Sequence, residues 1–350
     1  MHAEPSGARP RVDLDLWGAM LAAAAVAWTF IAAALSGGSA LPSAGLLIAS
    51  GGALVAGRTA ASVGRWVTPA LVVGFSLAAF AGRLGGDGPL GYANASAALS
   101  VQASVAGLAL AMASRRPVAR ALALGAALGF AALPIVAGSW AAAFMIAVLP
   151  PMGLAVGATR GVRAAVLLCA TSFLFVLGTT VILGSTYGEG DRTGVVERAV
   201  DSSLTERRVS LWHEALGLAM DHPLVGAGPG RFGEVNADED EQQAHNEFIQ
   251  QAAETGFVGS ALLVLLFLWG FAVLWVNRST HLMTALGAVA LTALGIHACV
   301  DYILHFPAVP IATAALVGSA QAWRRGESDD TREGPRRKPK EEDAPELARS

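Results

Sequence analysis

The sequence has few charged residues for its length. Only 15% of its 350 residues are Asp, Glu, Lys or Arg, whereas 54% are hydrophobic. A soluble domain usually carries about a quarter charged residues, so the composition argues against a water-soluble globular protein. The net charge of −3 also gives no basic surface of the kind that binds DNA or RNA. We therefore expect no nucleic-acid partner.

Cysteine is scarce as well. The two cysteines, Cys169 and Cys299, both fall in apolar stretches, where a free thiol behaves as a small hydrophobic side chain. The polar region at residues 185–256 has no cysteine, which excludes a disulfide within it. Its three histidines show none of the ligand spacings typical of zinc sites. We expect neither a metal ion nor a cofactor.

Long apolar stretches fill most of the chain. They are roughly 17 to 23 residues long, which is enough for a helix to cross about 30 Å of hydrocarbon. The sequence therefore predicts an all-α, polytopic membrane protein with about ten transmembrane helices in contact with lipid. The first stretch is longer than a typical signal-peptide core, so a retained helix is favoured over a cleaved leader. The predicted spans are 16–36, 41–57, 66–84, 91–113, 118–137, 140–157, 162–184, 257–276, 282–301 and 304–323.

The arginines predict the orientation of these spans. The short connections on one side of the membrane hold most of the arginines, and those on the other side hold only Arg83. Because the arginine-rich side faces the cytoplasm, both termini are expected there, in a multi-pass protein of the inner (plasma) membrane. The predicted regions are a cytoplasmic N-terminus (1–15), seven helices (16–184), a large extracytoplasmic loop (185–256), three helices (257–323) and a disordered cytoplasmic tail (324–350).

The large loop contains an amphipathic segment. Residues 204–221 place Leu211, Trp212 and Ala215 on one apolar stripe, and Arg208 shares the face of Trp212 because it lies four residues earlier. Arg207 and Arg208 lie near the start of this predicted helix, where positive charge opposes the helix dipole. They indicate an anionic partner; the alternative is that both are solvated charges on a surface helix.

A second helical segment of the loop begins near residue 244 and leads into the eighth span. His245 is predicted in its first turn, where the helix dipole disfavours the imidazolium. A neutral imidazole suits a general base. The alternative is a structural or simply exposed histidine.

Several polar residues are predicted at the outer ends of the spans. An ionisable group near the hydrocarbon costs a few kcal/mol, so such a set is normally functional or mutually paired. A purely structural pairing of Asp301 with His297 or Arg83 is the alternative to a substrate-binding role. The set comprises Arg83, Asn94, Ser139, Trp140, His297, Asp301 and His305.

Taken together, the motifs resemble one family. R-x-x-x-W (Arg208 to Trp212), DHPLVGAGPGRF (221–232) and AHNEFIQQAAETGFVG (244–259) look like the large periplasmic loop of the O-antigen ligase and O-antigen polymerase family. GPLGYANASA (88–97) and HACVDYILHFP (297–307) resemble two further segments of that family. In one place the sequence departs from it: Trp140 stands where the family commonly has an arginine after a serine.

The resemblance implies a metal-independent glycosyltransferase of surface polysaccharide or lipopolysaccharide biosynthesis in the cell envelope. Such enzymes move a glycan from a polyprenyl-diphosphate (undecaprenyl-type) carrier to a hydroxyl of a glycan or glycolipid acceptor. It also implies that His245 takes the acceptor proton and that Arg208 contacts the diphosphate. The expected substrate-binding residues are Arg207, Arg83, Asn94, Asn246, Asp301 and His297.

Two other functions stay open at this stage. A polymerase of the same family would use the same loop. A transporter or flippase without chemistry normally places polar groups near the bilayer midplane. The polar residues here gather at one end of the predicted spans instead, which favours the ligase interpretation over transport.

Overall fold

The described part of the chain consists mainly of helices. The computed structural model describes residues 13–82, 87–187, 203–235, 242–276 and 282–322. Within these ranges there are twelve α-helices and one 3-10 turn, and no β-strand. Arg83, the tail at 324–350 and most of the N-terminal region 1–15 lie outside the described residues.

Helices lie at the positions of all ten predicted spans, and two more lie in the large loop. The first seven are α1 (Leu14–Ser36), α2 (Leu41–Val63), α3 (Val67–Gly82), α4 (Ala93–Ala113), α5 (Pro117–Val136), α6 (Trp140–Thr159) and α7 (Val162–Ser185). The loop contributes α8 (Ser203–Asp221) and the single turn α9 (Phe232–Val235). The chain continues as α10 (Glu247–Val276), α11 (Leu282–Ala298), the 3-10 turn Ile303–His305 and α12 (Ala308–Ala322).

The helices confirm the all-α membrane class. Seven helices of the described chain are long and apolar enough to cross a membrane. Three shorter apolar helices, α3, α11 and α12, occupy the other predicted positions. The count of about ten crossings, the orientation and the position of the loop relative to the membrane remain predictions.

The connection between α11 and α12 is longer than the sequence predicts. The predicted spans end at residue 301 and begin again at 304, whereas α11 ends at Ala298 and α12 begins at Ala308. Asp301 and His305 therefore lie in a turn outside both helices. The side chain of Asp301 contributes to this ending, because its Oδ1 accepts the backbone amide of Tyr302 at 2.9 Å and competes with helical pairing.

Small residues allow the helices at the centre to approach closely. α4 is the most enclosed of the candidate spans, with 83% of its most apolar window buried, and its Gly107 lies against Ala127 of α5. In α2 and α12, Gly57 and Gly318 each face the backbone of the other helix. Close backbone approach of this kind holds helices together in lipid, where apolar burial gives little drive.

The large loop has a small apolar core of its own. The predicted stripe of α8 is confirmed for Leu211, Trp212 and Ala215, which are all buried. They pack with Ile249 and neighbouring residues of α10. The loop is therefore a folded part of the molecule that α8 holds against the start of α10.

A kink in α10 ties the glycine-rich turn to the helices. Thr255 and Gly256 have non-helical backbone angles, with φ of +71° at Gly256, so carbonyls of the preceding turn lose their helical partners. The backbone amides of residues 227 and 228 donate to the carbonyls of residues 253 and 254 at 2.8 and 2.9 Å. The turn HPLVGAG (222–228) thus supplies hydrogen-bond donors to carbonyls at the kink of α10.

Candidate active site

The site is built around one buried carboxylate. Asp301 is 1% exposed and lies in the turn after α11. Its oxygens accept hydrogen bonds from Tyr92 Oη at 2.8 Å, from Asn94 Nδ2 at 2.6 Å and from the amide of Tyr302 at 2.9 Å. Tyr92 and Asn94 come from the start of α4, so the carboxylate joins the ends of two helices that are distant in sequence.

His245 contacts the same carboxylate. Its Nδ1 lies 3.0 Å from Oδ1 of Asp301, and the imidazole is 16% exposed. When Nδ1 carries the proton and donates to Asp301, the lone pair of a neutral imidazole lies on Nε2. The pairing therefore fixes both the tautomer and the orientation that a general base needs.

The backbone at His245 has an unusual conformation. Its φ of +54° is the one positive φ outside glycine among the described residues, and this left-handed region is uncommon for a residue with a Cβ. The sequence places His245 in the first turn of a helix, but α10 begins at Glu247. Asn246 is the better N-cap, and its Oδ1 accepts two amides of the first turn at 3.1 Å. His245 therefore lies just before the helix.

The loop helix α8 contributes the positive charge. Arg208 Nη1 donates to the carbonyl of Val300 at 3.1 Å, and Nη2 lies 3.5 Å from Oδ2 of Asp301. One turn later, Trp212 Nε1 donates to the carbonyl of His245 at 3.3 Å. This confirms that Arg208 and Trp212 share a face. The guanidinium remains 31% exposed, so it is available to an anion.

The charges around Asp301 determine its protonation. Burial raises the pKa of the carboxyl, but the hydrogen bond from His245 and the positive charge of Arg208, with that of His245 when it is protonated, outweigh it and lower the pKa from 3.8 to about 2. Asp301 is therefore an anion at neutral pH. Burial and the nearby Asp301 charge raise the pKa of Tyr92, so its hydroxyl keeps its proton and continues to donate.

The other predicted site residues lie in different surroundings. Asn246 is 0% exposed and donates to the carbonyl of Cys299 at 2.6 Å, so it connects α10 to the end of α11. His297 is buried in the last turn of α11, and Arg207 is half-buried beside Arg208 on α8. Arg83, a possible partner of Asp301 in the sequence, lies outside the described residues.

The start of α6 does not take part in the hydrogen-bonded cluster at Asp301. Trp140, at the position where an arginine was expected, is the first residue of α6 and is 76% exposed. Ser139 precedes it and is buried. Both predicted buried thiols are confirmed, since Cys169 and Cys299 are free and 0% exposed.

Three contributions to the site were missed at the sequence level. These are the hydroxyl of Tyr92, the indole N–H of Trp212 and the carboxylate of Glu247, which accepts the amide of Leu304 at 2.6 Å. Tyr92 and Glu247 both stand inside the quoted motifs, one in GYAN and the other in HNE. The motifs thus pointed to the right segments, although not to these side chains.

The arrangement combines a histidine, a carboxylate that orients it and a partly exposed guanidinium. A neutral imidazole held in this way can accept a proton, and the guanidinium can stabilise an anion that forms nearby. Within the described ranges, no group of three His, Cys, Asp or Glu side chains is arranged to hold a metal ion. The site therefore supports proton transfer next to an anionic group.

Comparison with known protein families gives a match that covers much of this site. The sequence model of the family described as O-antigen ligase matches residues 89–264, which is half of the chain. The match begins just before Tyr92 and includes α8, the glycine-rich turn, His245 and the kink of α10. Neither a curated protein nor a solved structure shows significant similarity to the chain.

Proposed function

Since the chain belongs to the O-antigen ligase family, we propose that it transfers a glycan from a polyprenyl-diphosphate carrier to a hydroxyl of a glycan or glycolipid acceptor. The family makes it a membrane protein of the glycan ligase or polymerase type. We propose the ligase reaction, carried out at the extracytoplasmic face of the plasma membrane. The observation that carries the proposal is the contact of His245 with Asp301 beside Arg208.

In the proposed step, His245 acts as the general base. Its Nε2 accepts the proton of the acceptor hydroxyl while the acceptor oxygen bonds to the anomeric carbon of the donor sugar. The bond between that carbon and the diphosphate oxygen breaks, and the polyprenyl diphosphate leaves with both electrons. Asp301 stabilises the imidazolium that forms, because its carboxylate is 3.0 Å from Nδ1.

Arg208 stabilises the leaving group in this proposal. Negative charge develops on the diphosphate as the bond breaks, and a positioned guanidinium lowers the energy of that charge. Arg208 uses Nη1 and Nη2 to contact Val300 and Asp301, which orients the guanidinium. Arg207 and Arg83 are proposed as further positive charges for the donor, and no metal or cofactor takes part.

The buried polar residues act as positioning residues. Asn94 donates to both Asp301 and Tyr92, so it fixes the carboxylate rather than a substrate group. Asn246 caps α10 directly after His245. His297 lies one helical turn before Asp301 and is 2% exposed. Their effect on transfer is expected to pass through the placement of His245.

The proposal is tested with the purified full-length protein in lipid nanodiscs. Wild type, His245→Ala and Arg208→Ala are given a polyprenyl-diphosphate-linked glycan and an acceptor glycolipid, and the glycosylated acceptor is measured. We expect loss of general-base catalysis to slow transfer about 10²- to 10⁴-fold. The matched controls are the exposed His222→Ala and Arg120→Ala, which should transfer normally. Full activity of His245→Ala would refute the assignment.

The species that accumulates in cells separates ligase from polymerase. In a strain whose gene carries His245→Ala, a ligase defect leaves long glycan chains on the lipid carrier. A polymerase defect leaves single repeat units on it instead. We expect long carrier-linked chains, and an accumulation of single units would assign the polymerase reaction.

A further inference from the structure

A second histidine forms a carboxylate pair beside the first. His305, in the 3-10 turn after α11, has its Nδ1 3.2 Å from Oε1 of Glu247 at the start of α10. The side chain of Glu247 is 7% exposed, and the same oxygen also accepts the amide of Leu304 at 2.6 Å. The carboxylate is thus buried and fixed, while the imidazole of His305 is 42% exposed.

The two histidine–carboxylate pairs connect the same two segments of the chain. His245 and Glu247 lie two residues apart, and so each segment supplies one histidine and one carboxylate: His245 contacts Asp301, and His305 contacts Glu247. Both imidazoles make edge contacts with the ring of Tyr302, with ring centroids 4.9 Å from His245 and 6.0 Å from His305. One aromatic ring therefore separates His305 from the proposed base.

The charges that face His305 favour its protonated form. Burial lowers the pKa of the imidazole, but the hydrogen bond and the charge of Glu247, together with the charge of Glu254, outweigh it and raise the pKa above its ordinary value. An imidazolium has two N–H donors. Nδ1 points to Glu247, and Nε2 has no hydrogen-bond partner among the described residues.

The proposed reaction needs more positive charge than Arg208 offers. A diphosphate carries at least two negative charges, and the guanidinium of Arg208 already contacts Asp301 and Val300. After Ser139, where the resemblance implies an arginine, the sequence has Trp140. Among the described residues at this site, His305 is the one that combines an exposed imidazole with a contact to a buried carboxylate.

We propose that the imidazolium of His305 is a further positive contact for the donor's diphosphate, beside Arg208, with Nε2–H donating to a phosphate oxygen. The inference rests on the proposed function, since it assigns a further residue to the same substrate. No bond is made or broken by His305; it binds the diphosphate in the ground state and as it leaves. Glu247 acts as the positioning residue that orients and charges it.

The test measures binding of undecaprenyl diphosphate and undecaprenyl monophosphate to the full-length protein in nanodiscs. Loss of one charge-assisted hydrogen bond should weaken diphosphate binding by His305→Gln about tenfold, with a smaller effect on the monophosphate. His305→Arg should bind the diphosphate like wild type. His222→Gln, an exposed histidine at the end of α8, is the matched control and should be unchanged.

The pH dependence provides a second measure. Compared with His305→Arg at the same pH, wild type should lose affinity for the diphosphate as the pH rises and His305 loses its proton; the phosphate of the lipid titrates equally in both measurements. Glu247→Gln keeps an acceptor for Leu304 but removes the charge, so it should move the loss of affinity to lower pH. If His305→Gln is poorly folded, the pH profiles of wild type and His305→Arg still decide the question.

The outcomes separate this inference from the proposed function. Wild-type binding by His305→Gln, or equal losses for both lipids, would overturn the role of His305 while glycan transfer by wild type still supports the function. If wild type itself shows no preference for the diphosphate and no transfer, the proposed function fails, and the role of His305 fails with it.

Discussion

The imidazole of His245 lies 3.0 Å from the carboxylate of Asp301, although the two residues are 56 positions apart in the chain. Asp301 is 1% exposed, and its contacts with Tyr92 and Asn94 hold it in place before any substrate arrives. The histidine is therefore aligned by a buried anion rather than by the loop alone. Four predictions follow from this arrangement and from the loop that carries His245.

Asp301→Asn should impair transfer more than it impairs folding. The amide keeps the size of the side chain but cannot stabilise an imidazolium, and it favours the wrong tautomer of His245. We expect kcat to fall about 10²- to 10⁴-fold with little change in KM for the donor, measured with the nanodisc transfer assay. Tyr92→Phe is the milder variant for comparison, since it removes one hydrogen-bond donor to Asp301 and leaves the others. A parallel rise of KM without a loss of kcat would contradict an orienting role.

Low pH should weaken the folded state through Asp301. Its pKa is about 2 when folded, below the ordinary 3.8, so its contribution is complete above pH 4 and is lost as the pH falls towards 2. The difference corresponds to roughly 2 kcal/mol. Thermal unfolding of wild type and Asp301→Asn should therefore differ most near pH 6, and the difference should narrow below pH 4. A gap that is independent of pH would show that the charge is not responsible.

The positive φ at His245 should affect the stability of variants at this position, in addition to the size of the new side chain. At φ of +54°, glycine and asparagine are tolerated, whereas alanine costs about 1 kcal/mol more. His245→Ala should therefore unfold at a lower temperature than His245→Asn or His245→Gly, although all three lack the base. The same replacements at His222 supply the control. Equal unfolding temperatures for the three His245 variants would contradict a strained backbone in solution.

Gly256→Ala should destabilise the protein by more than about 1 kcal/mol. Its φ is +71°, and an added Cβ would collide with the carbonyl of Leu224, so the glycine-rich turn would be pushed away from α10. Gly217→Ala is the matched control because open space surrounds Gly217 in α8; there, alanine should stabilise the helix by about 0.5 to 1 kcal/mol. Thermal unfolding in detergent compares them, and a neutral Gly256→Ala would refute the close packing.

The positions of the helices could be read from the sequence. Apolar stretches of sufficient length predicted all-α membrane architecture, and the spacing of Leu211, Trp212 and Ala215 predicted the buried face of α8. The end of α11 could not be read in this way. Residues 299 and 300 continue the apolar pattern, and it is the contact of Asp301 with the amide of Tyr302 that favours a turn.

The sequence by itself pointed to the segments that form the candidate site, because hydrophobic length and local motifs are properties of neighbouring residues. It singled out His245, Arg208 and Asp301. Only the tertiary structure decided that Asp301 pairs with His245 and Arg208 rather than with His297, and that Glu247 pairs with His305. These pairings depend on how the ends of α4, α8, α10 and α11 meet in space. The residue pattern within one segment does not encode its distance from another segment.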